Sequence, residues 1–283
     1  MTYIEEYYQF LLKNPDKACH KVLVTYKKLV QDIYNPKQVS FFNEITEEEE
    51  THAFVFDEKK GNKPIIFIEK YCKHSKGKWA GQPVELELWQ KAFIQALFGF
   101  VDIETRIRKY KKGALFVARK NGKSTIDSGL GNFMVSKDGE GGAEVYSVAT
   151  KKDQAKGVWE EARRMIKKSP ALNKRMRCLV GGIYYDAVHA WKDKNLLDVM
   201  YDSMSAREQP MLLETSTMGT IRESVFDNEY EYFSAIIEGY EGLEGGIVDE
   251  TVLPVIYELD NPNEWQDEKK WYKANPRAWN NKK

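Results

Sequence analysis

The stretch Val117-Ala118-Arg119-Lys120-Asn121-Gly122-Lys123-Ser124-Thr125 constrains this chain more than any other. A short apolar run, 114–118 (ALFVA), leads into it and reads as a β-strand, and a helix is predicted over 123–136. The general pattern of a phosphate-gripping turn is G-x-x-x-x-G-K-[S/T] between a strand and a helix. Val117 replaces the first glycine, but Gly122, Lys123 and Ser124 stand in register. Each has a physical reason to be there. Gly122 lets backbone N–H groups come close to phosphate oxygens, and the start of the helix adds outward-pointing amides and a partial positive charge. Lys123 can neutralise β and γ phosphates, and the Ser124 hydroxyl can ligate Mg²⁺. The plainer alternative is a basic turn with a chance GKST.

Around this turn, strand-like and helix-like segments alternate. Strands are predicted at 143–149 (AEVYSVA), at 211–213 and at 251–259 (TVLPVIYEL), the last near a sheet edge because Pro254 cannot donate to a ladder. Helices are predicted at 86–98, where Leu86, Trp89, Phe93 and Leu97 share a face, and from Thr150 to about residue 168. This alternation argues for an α/β fold with a mainly parallel sheet covered by helices on both faces. The region before it reads differently. Segments 3–12 and 17–34 are amphipathic helices, 47–50 (EEEE) after Thr46 reads as the charged first turn of a helix, 53–73 keeps helical spacing, and 74–83 is a turn-rich loop.

Composition adds limits. Lys+Arg and Asp+Glu are both 43 in 283 residues, so overall charge does not signal a nucleic-acid partner, although local basic patches can. The three cysteines, Cys19, Cys72 and Cys178, form no disulfide framework and suit a reducing compartment. Cys72 and His74 lie close together, but no second ligand pair stands at zinc spacing. The first residues carry no basic leader, and no apolar run approaches the ~20 residues of a membrane span.

The turn ARKNGKST resembles that of the terminase large subunits of tailed phages. Segments 56–100, 144–162, 189–210, 215–232 and 250–276 resemble further blocks of that family in the same order. The resemblance implies a P-loop NTPase of the additional-strand (ASCE) type, with a helical N-terminal extension over 1–78 and the ATPase domain over 79–283. It implies ATP and Mg²⁺ as cofactors, and an ATP-driven motor that pumps double-stranded DNA without sequence preference into a procapsid. The implied partners are the portal protein, the small terminase subunit and further copies of the chain in a pentameric ring. The implied setting is the host cytoplasm, with no membrane. The family's nuclease domain has no counterpart in these residues.

Roles carry over by position. Asn121, Gly122, Lys123, Ser124 and Thr125 match the phosphate turn. Arg119 matches its basic residue, implied to contact phosphate or sense its loss. Trp89 and Gln90 match the segment facing the adenine; core packing is the reading preferred for the Trp89 ring, and base reading falls to Gln90. Ser216, Thr217 and Gly219 resemble the coupling motif, with Met218 in place of its usual small residue. Arg207 could reach a neighbouring subunit's nucleotide, or simply pair with Glu208.

The acidic motif is open. An apolar strand ending in Asp-Glu should supply a metal-side aspartate and a water-polarising glutamate. The corresponding place reads Ile183-Tyr184-Tyr185-Asp186-Ala187-Val188-His189. Either Asp186 is that aspartate and Ala187 stands where the glutamate belongs, or GGIYYD (181–186) belongs to an earlier strand and the acidic strand is missing. His189 is either a residue orienting the site or a helix start. Two other functions compete with the motor: a small-molecule phosphotransferase, and a nucleotide-binding module without turnover. For DNA contact, 108–112 (RKYKK) is the basic stretch considered, against the alternative of a solvated charged face.

Overall fold

Thr2 opens the first helix with a reciprocal cap: its hydroxyl accepts from the Glu5 amide, and the Glu5 carboxylate accepts from the Thr2 amide. That helix, α1 (Tyr3–Lys13), is followed by a 3₁₀ turn (Pro15–Lys17) and α2 (His20–Tyr34) in this computed structural model, which describes residues 1–43, 48–140, 143–147, 152–176, 209–217 and 225–277.

The N-terminal region is not purely helical. Strands β1 (Gln38–Asn43) and β2 (Glu48–Phe56) form an antiparallel pair, and β2 also pairs with β3 (Phe100–Asp102). Residues 48–50 therefore lie in a strand and not in the acidic first turn of a helix; 44–47 fall outside the described residues. The residues next to the acids decide this. Thr51 to Phe56 is rich in β-branched and aromatic side chains, and the Phe56 ring packs at 5.1 Å on Phe100 across the ladder. Helical spacing does hold further on, in α3 (Glu58–Tyr71), capped by the Asp57 carboxylate.

Helix α4 (Leu88–Gly99) is buried almost all round and forms the hub of the N-terminal half. It packs on α1 and α3. The buried Gln95 side chain accepts from the Ile4 amide at 3.1 Å and donates to Asn62 at 2.6 Å, so one amide joins three helices.

A second sheet carries the site. Its strands are β4 (Lys112–Phe116), β5 (Leu212–Ser216) and β6 (Val252–Ile256), all parallel, in the order β5-β4-β6. Both faces are buried, as a parallel sheet requires. Ala114, Phe116, Val252 and Ile256 face α8 (Val225–Glu241) and Val24 of α2. Leu115, Val117, Leu253 and Val255 belong to the other cluster, with side chains of α4 and of α5 (Lys123–Lys137). Helix α6 (Lys152–Lys168) packs on α5, and the short α7 (Pro170–Arg175) on α6.

Strand β6 is an edge among the described strands. Odd-numbered residues face β4: the Tyr257 amide donates to the Phe116 carbonyl and Lys111 donates to Thr251. The backbone groups of Pro254 and Ile256 point away from β4, so the missing proline N–H costs no ladder bond. Helix α2 lies over that edge. The Thr25 hydroxyl donates to the Pro254 carbonyl and the Cys19 thiol to the Ile256 carbonyl, each at 3.2 Å. Burial pushes the Cys19 thiol up to about 12, which keeps it a donor.

Two predicted strands shift and one is not formed as expected. The strand at 114–118 begins at Lys112, and that at 211–213 runs from Leu212 to Ser216. Residues 143–147 join no ladder; Glu144 and Tyr146 face solvent, and the Tyr146 hydroxyl donates to Glu144. Residues 148–149 lie outside the described residues. No described helix is long and apolar enough to cross a membrane.

Candidate functional site

At the end of β4 the chain enters the turn through Val117 and Ala118 and leaves it as α5. Two residues make the reversal possible. Lys120 has φ +68° and Gly122 has φ +81°, both left-handed. Glycine is favoured here by its left-handed φ, and a Cβ would also press on the Gln90 Nε2 at 3.0 Å, which would have to give by a few tenths of an ångström. Gly122 is the N-cap of α5, and its carbonyl accepts from the Thr125 and Ile126 amides at 3.0 Å. First-turn amides thus point out of the helix end into the turn, where the helix dipole favours an anion.

Asn121 holds the turn's shape from inside. It is fully buried; its amide donates to the Ala118 carbonyl at 3.0 Å, and its oxygen accepts from the Arg277 backbone N–H at 3.0 Å. The Lys123 ammonium folds back across the turn and donates to the carbonyls of Val117 (2.8 Å) and Ala118 (3.1 Å). Arg119 and Ser124 are exposed on the turn, and Thr125 is half-buried. The arrangement suits a polyphosphate: amides at a helix start, an ammonium lying across the turn, and a hydroxyl at the first helical turn. Ser124 was expected to ligate Mg²⁺ with Asp186; Asp186 lies outside the described residues, as do Ala187, His189, Arg207, Met218 and Gly219.

The described part of the segment expected to serve coupling, Ser216 and Thr217, comes to the same place. In the parallel register Phe116 pairs with Ser216, and the Val117 amide donates to the Ser216 carbonyl at 3.1 Å. Ser216 is buried and Thr217 half-buried. One residue back, the Thr215 hydroxyl donates at 2.9 Å to Asp127 of α5, a link between the phosphate-turn helix and β5 that no sequence pattern announces. All of this lies at the carboxyl end of the parallel strands, where ligands bind in open α/β sheets.

Gln90 reaches the turn from α4. Its Nε2 donates to the Asn121 carbonyl at 3.1 Å and its Oε1 accepts from the Glu87 amide at 3.0 Å. Trp89 is core: it is buried, with its ring edge-on to Tyr257 at 5.5 Å and its indole N–H donating to Glu87 at 3.1 Å. Two further residues at this rim were not anticipated. Glu87 has a local signal, since it lies three residues before Gln90 in a reciprocal helix cap. Arg277 has none. It arrives because the chain after β6 returns alongside the turn, where the Ala118 amide donates to the Ala274 carbonyl at 3.3 Å. Nearby, His74 is held below its ordinary pKa, first by burial and then by the positive charge of Arg277.

The stretch 108–112 does not offer the basic surface considered from sequence. Arg108, Lys109 and Lys112 are all buried. Arg108 grips Asp138 with bonds of 2.6 and 2.7 Å, Lys109 pairs with Glu250 and Asp32, and Lys112 lies 2.6 Å from both Glu214 and Glu229. Their charges are taken up by partners within the fold, and neither a DNA contact nor a solvated face describes them.

An α/β chain with a glycine-turned, lysine-bearing loop at the carboxyl edge of its parallel sheet has the build of a nucleotide-phosphate binder. A sequence profile for the terminase large subunit ATPase domain matches residues 88–180 and 182–235, more than half of the chain. This chain belongs to that family, as a phage terminase large subunit ATPase region. The large terminase subunit of Enterobacteria phage HK97 is 32% identical over 114 residues, which are 40% of this chain and 21% of that protein. The crystal structure of the HK97 bacteriophage large terminase is similar in fold, with a TM-score of 0.62 and 20% identity over 77% of this chain and 48% of that chain. The chain thus spans less than half of either relative in the matched parts.

Proposed function

We propose that this chain is the ATP-hydrolysing motor part of a phage terminase, driving double-stranded DNA into a procapsid. The observation that supports this most is the turn 117–125: left-handed Gly122 opens it, the Lys123 ammonium lies across its mouth, and Ser216 at the end of β5 hydrogen-bonds its first residue. In this reading the fold is an additional-strand P-loop ATPase, with residues 1–78 as an extension and 79–283 as the ATPase domain. The direct pairing of the coupling strand β5 with the phosphate-turn strand β4 supports it.

The residues divide the work. Backbone amides of 121–124 cradle the β and γ phosphates, and Lys123 exchanges its carbonyl partners for phosphate oxygens. Arg119, exposed on the turn, contacts the γ-phosphate or registers its loss. Ser124 with Asp186 holds Mg²⁺, which offsets charge on the phosphates. Gln90 reads the base. Ser216, Thr217 and Gly219 pass the change in phosphate occupancy to the DNA-gripping parts, with Asp127 as the tether between α5 and β5. Arg207 serves the nucleotide of a neighbouring subunit, in a pentameric ring on the portal with the small subunit as partner. DNA is held by its phosphates without sequence preference, in the host cytoplasm.

Turnover at saturating ATP tests this directly. Lys123→Ala is expected to lower it roughly 100-fold or more, as loss of a preorganised charge at a transition state does. Equal rates in both proteins would remove hydrolysis from the reading. A second reading, a module that binds ATP with little turnover, is favoured by Ala187 following Asp186 where a glutamate belongs. Its signature in the same experiment is ATP affinity that Lys123→Ala destroys, with negligible turnover in the parent.

A further inference from the structure

The phosphate turn has a second rim, built from Glu87, Gln90 and Arg277. Arg277 comes from the returning segment after β6. Its backbone N–H holds the Asn121 side chain at 3.0 Å, its Nη1 donates to the Lys120 carbonyl at 3.3 Å, and its Nε lies 3.5 Å from the Glu87 carboxylate. The side chain is 41% exposed and Glu87 19%. Gln90 and Arg277 flank Gly122 together: a Cβ on that glycine would lie 3.0 Å from the Gln90 Nε2 and 4.0 Å from the Arg277 Nη1.

The chemistry of this rim does not suit phosphate. Glu87 would repel it, and the guanidinium facing Glu87 is already neutralised. The same set suits a purine base. The Glu87 carboxylate, which also accepts from the Trp89 indole, orients the guanidinium, and a guanidinium so held presents a flat face on which a ring stacks. The geometry points to Arg277 as a specificity-determining residue that covers the base of the bound nucleotide, with Glu87 setting its orientation. This rests on the nucleotide-binding reading above, and deepens it by assigning the base side of the site.

Calorimetric titration of the whole chain with ATP and with inorganic tripolyphosphate, both with Mg²⁺, separates base from phosphate. Arg277→Ala is expected to weaken ATP about tenfold while tripolyphosphate stays within about twofold, the scale of a lost stacking cation. Arg277→Lys keeps charge and stem but lacks the flat face, so it should behave like Arg277→Ala, and it carries the test should the alanine variant melt early. Three results overturn the assignment: unchanged ATP affinity in Arg277→Ala, equal weakening of ATP and tripolyphosphate, or full recovery in Arg277→Lys. If the parent chain binds neither ligand, the nucleotide reading itself fails and takes this one with it. Parent binding with an indifferent Arg277 removes this inference alone.

Discussion

Gly122 shows how much a single position carries at this site. Its backbone is left-handed, and a Cβ would sit tight against the Gln90 Nε2 at 3.0 Å. Gly122→Ala is expected to cost about 1–2 kcal/mol in strain alone, seen as a lower unfolding midpoint, and to lose ATP affinity because the amides it aims would rotate away. An unchanged midpoint with unchanged affinity would mean that the turn tolerates a right-handed cap. The strand-to-helix turn around Gly122, Lys123 and Ser124 was legible in the sequence because its spacing is local. Gln90 was reached through resemblance, and its bond to the Asn121 carbonyl places it at the turn. Arg277 was invisible, because its contact depends on where the chain returns after β6, and no local pattern encodes that.

Between elements, buried ion pairs do the joining. Glu250, before β6, meets Lys28 of α2 and Lys109 before β4, and Asp32 completes the group. Burial alone would raise the Glu250 pKa, but the ammonium groups of Lys109 and Lys28 more than offset it and hold the carboxyl below its ordinary value. Linkage sets the sign. A depressed folded-state pKa contributes stability that is fully present above the unfolded value of 4.5 and is lost as pH falls through the folded one. Glu250→Gln should therefore be less stable at neutral pH and show a shallower acid limb below that point in a series of thermal melts. A limb as steep as the parent's would assign the acid loss to other carboxylates. Helices α4 and α5 were readable from apolar periodicity and from the glycine before α5. The β1–β2 pair was not, because the acids at 48–50 imitate a helix start, and the other partner of β2, strand β3, lies far along the chain. The basic run at 108–112 misled for the same reason: Asp138, Glu214, Glu229 and Glu250 are all distant in sequence.

For the molecule as a whole, the proposed DNA contact must come from charges the fold leaves outside. Lys109 is one of the interior ones. Lys109→Ala is expected to cost about 3–5 kcal/mol of stability, because it leaves carboxylates buried with one cation fewer. In the folded protein it should leave unchanged the slope of log affinity for duplex DNA against log salt. A slope reduced by about one would instead make Lys109 a phosphate contact. The exposed Lys111 is the residue of that stretch able to change it.

The way α2 lies along β6 has a consequence for any shortened form of this chain. Thr25 and Cys19 occupy the outward carbonyls of Pro254 and Ile256. A version trimmed past residue 34 would present that row bare, as a template on which another molecule could lay its own strand. Pro254 interrupts such recruitment at one point only. Trimmed protein should scatter more light as its concentration rises, and a free peptide spanning 19–34 should suppress the growth. Scatter that the peptide leaves untouched would place the sticky surface elsewhere. Growth that the peptide does suppress would make the first two helices a guard against self-association.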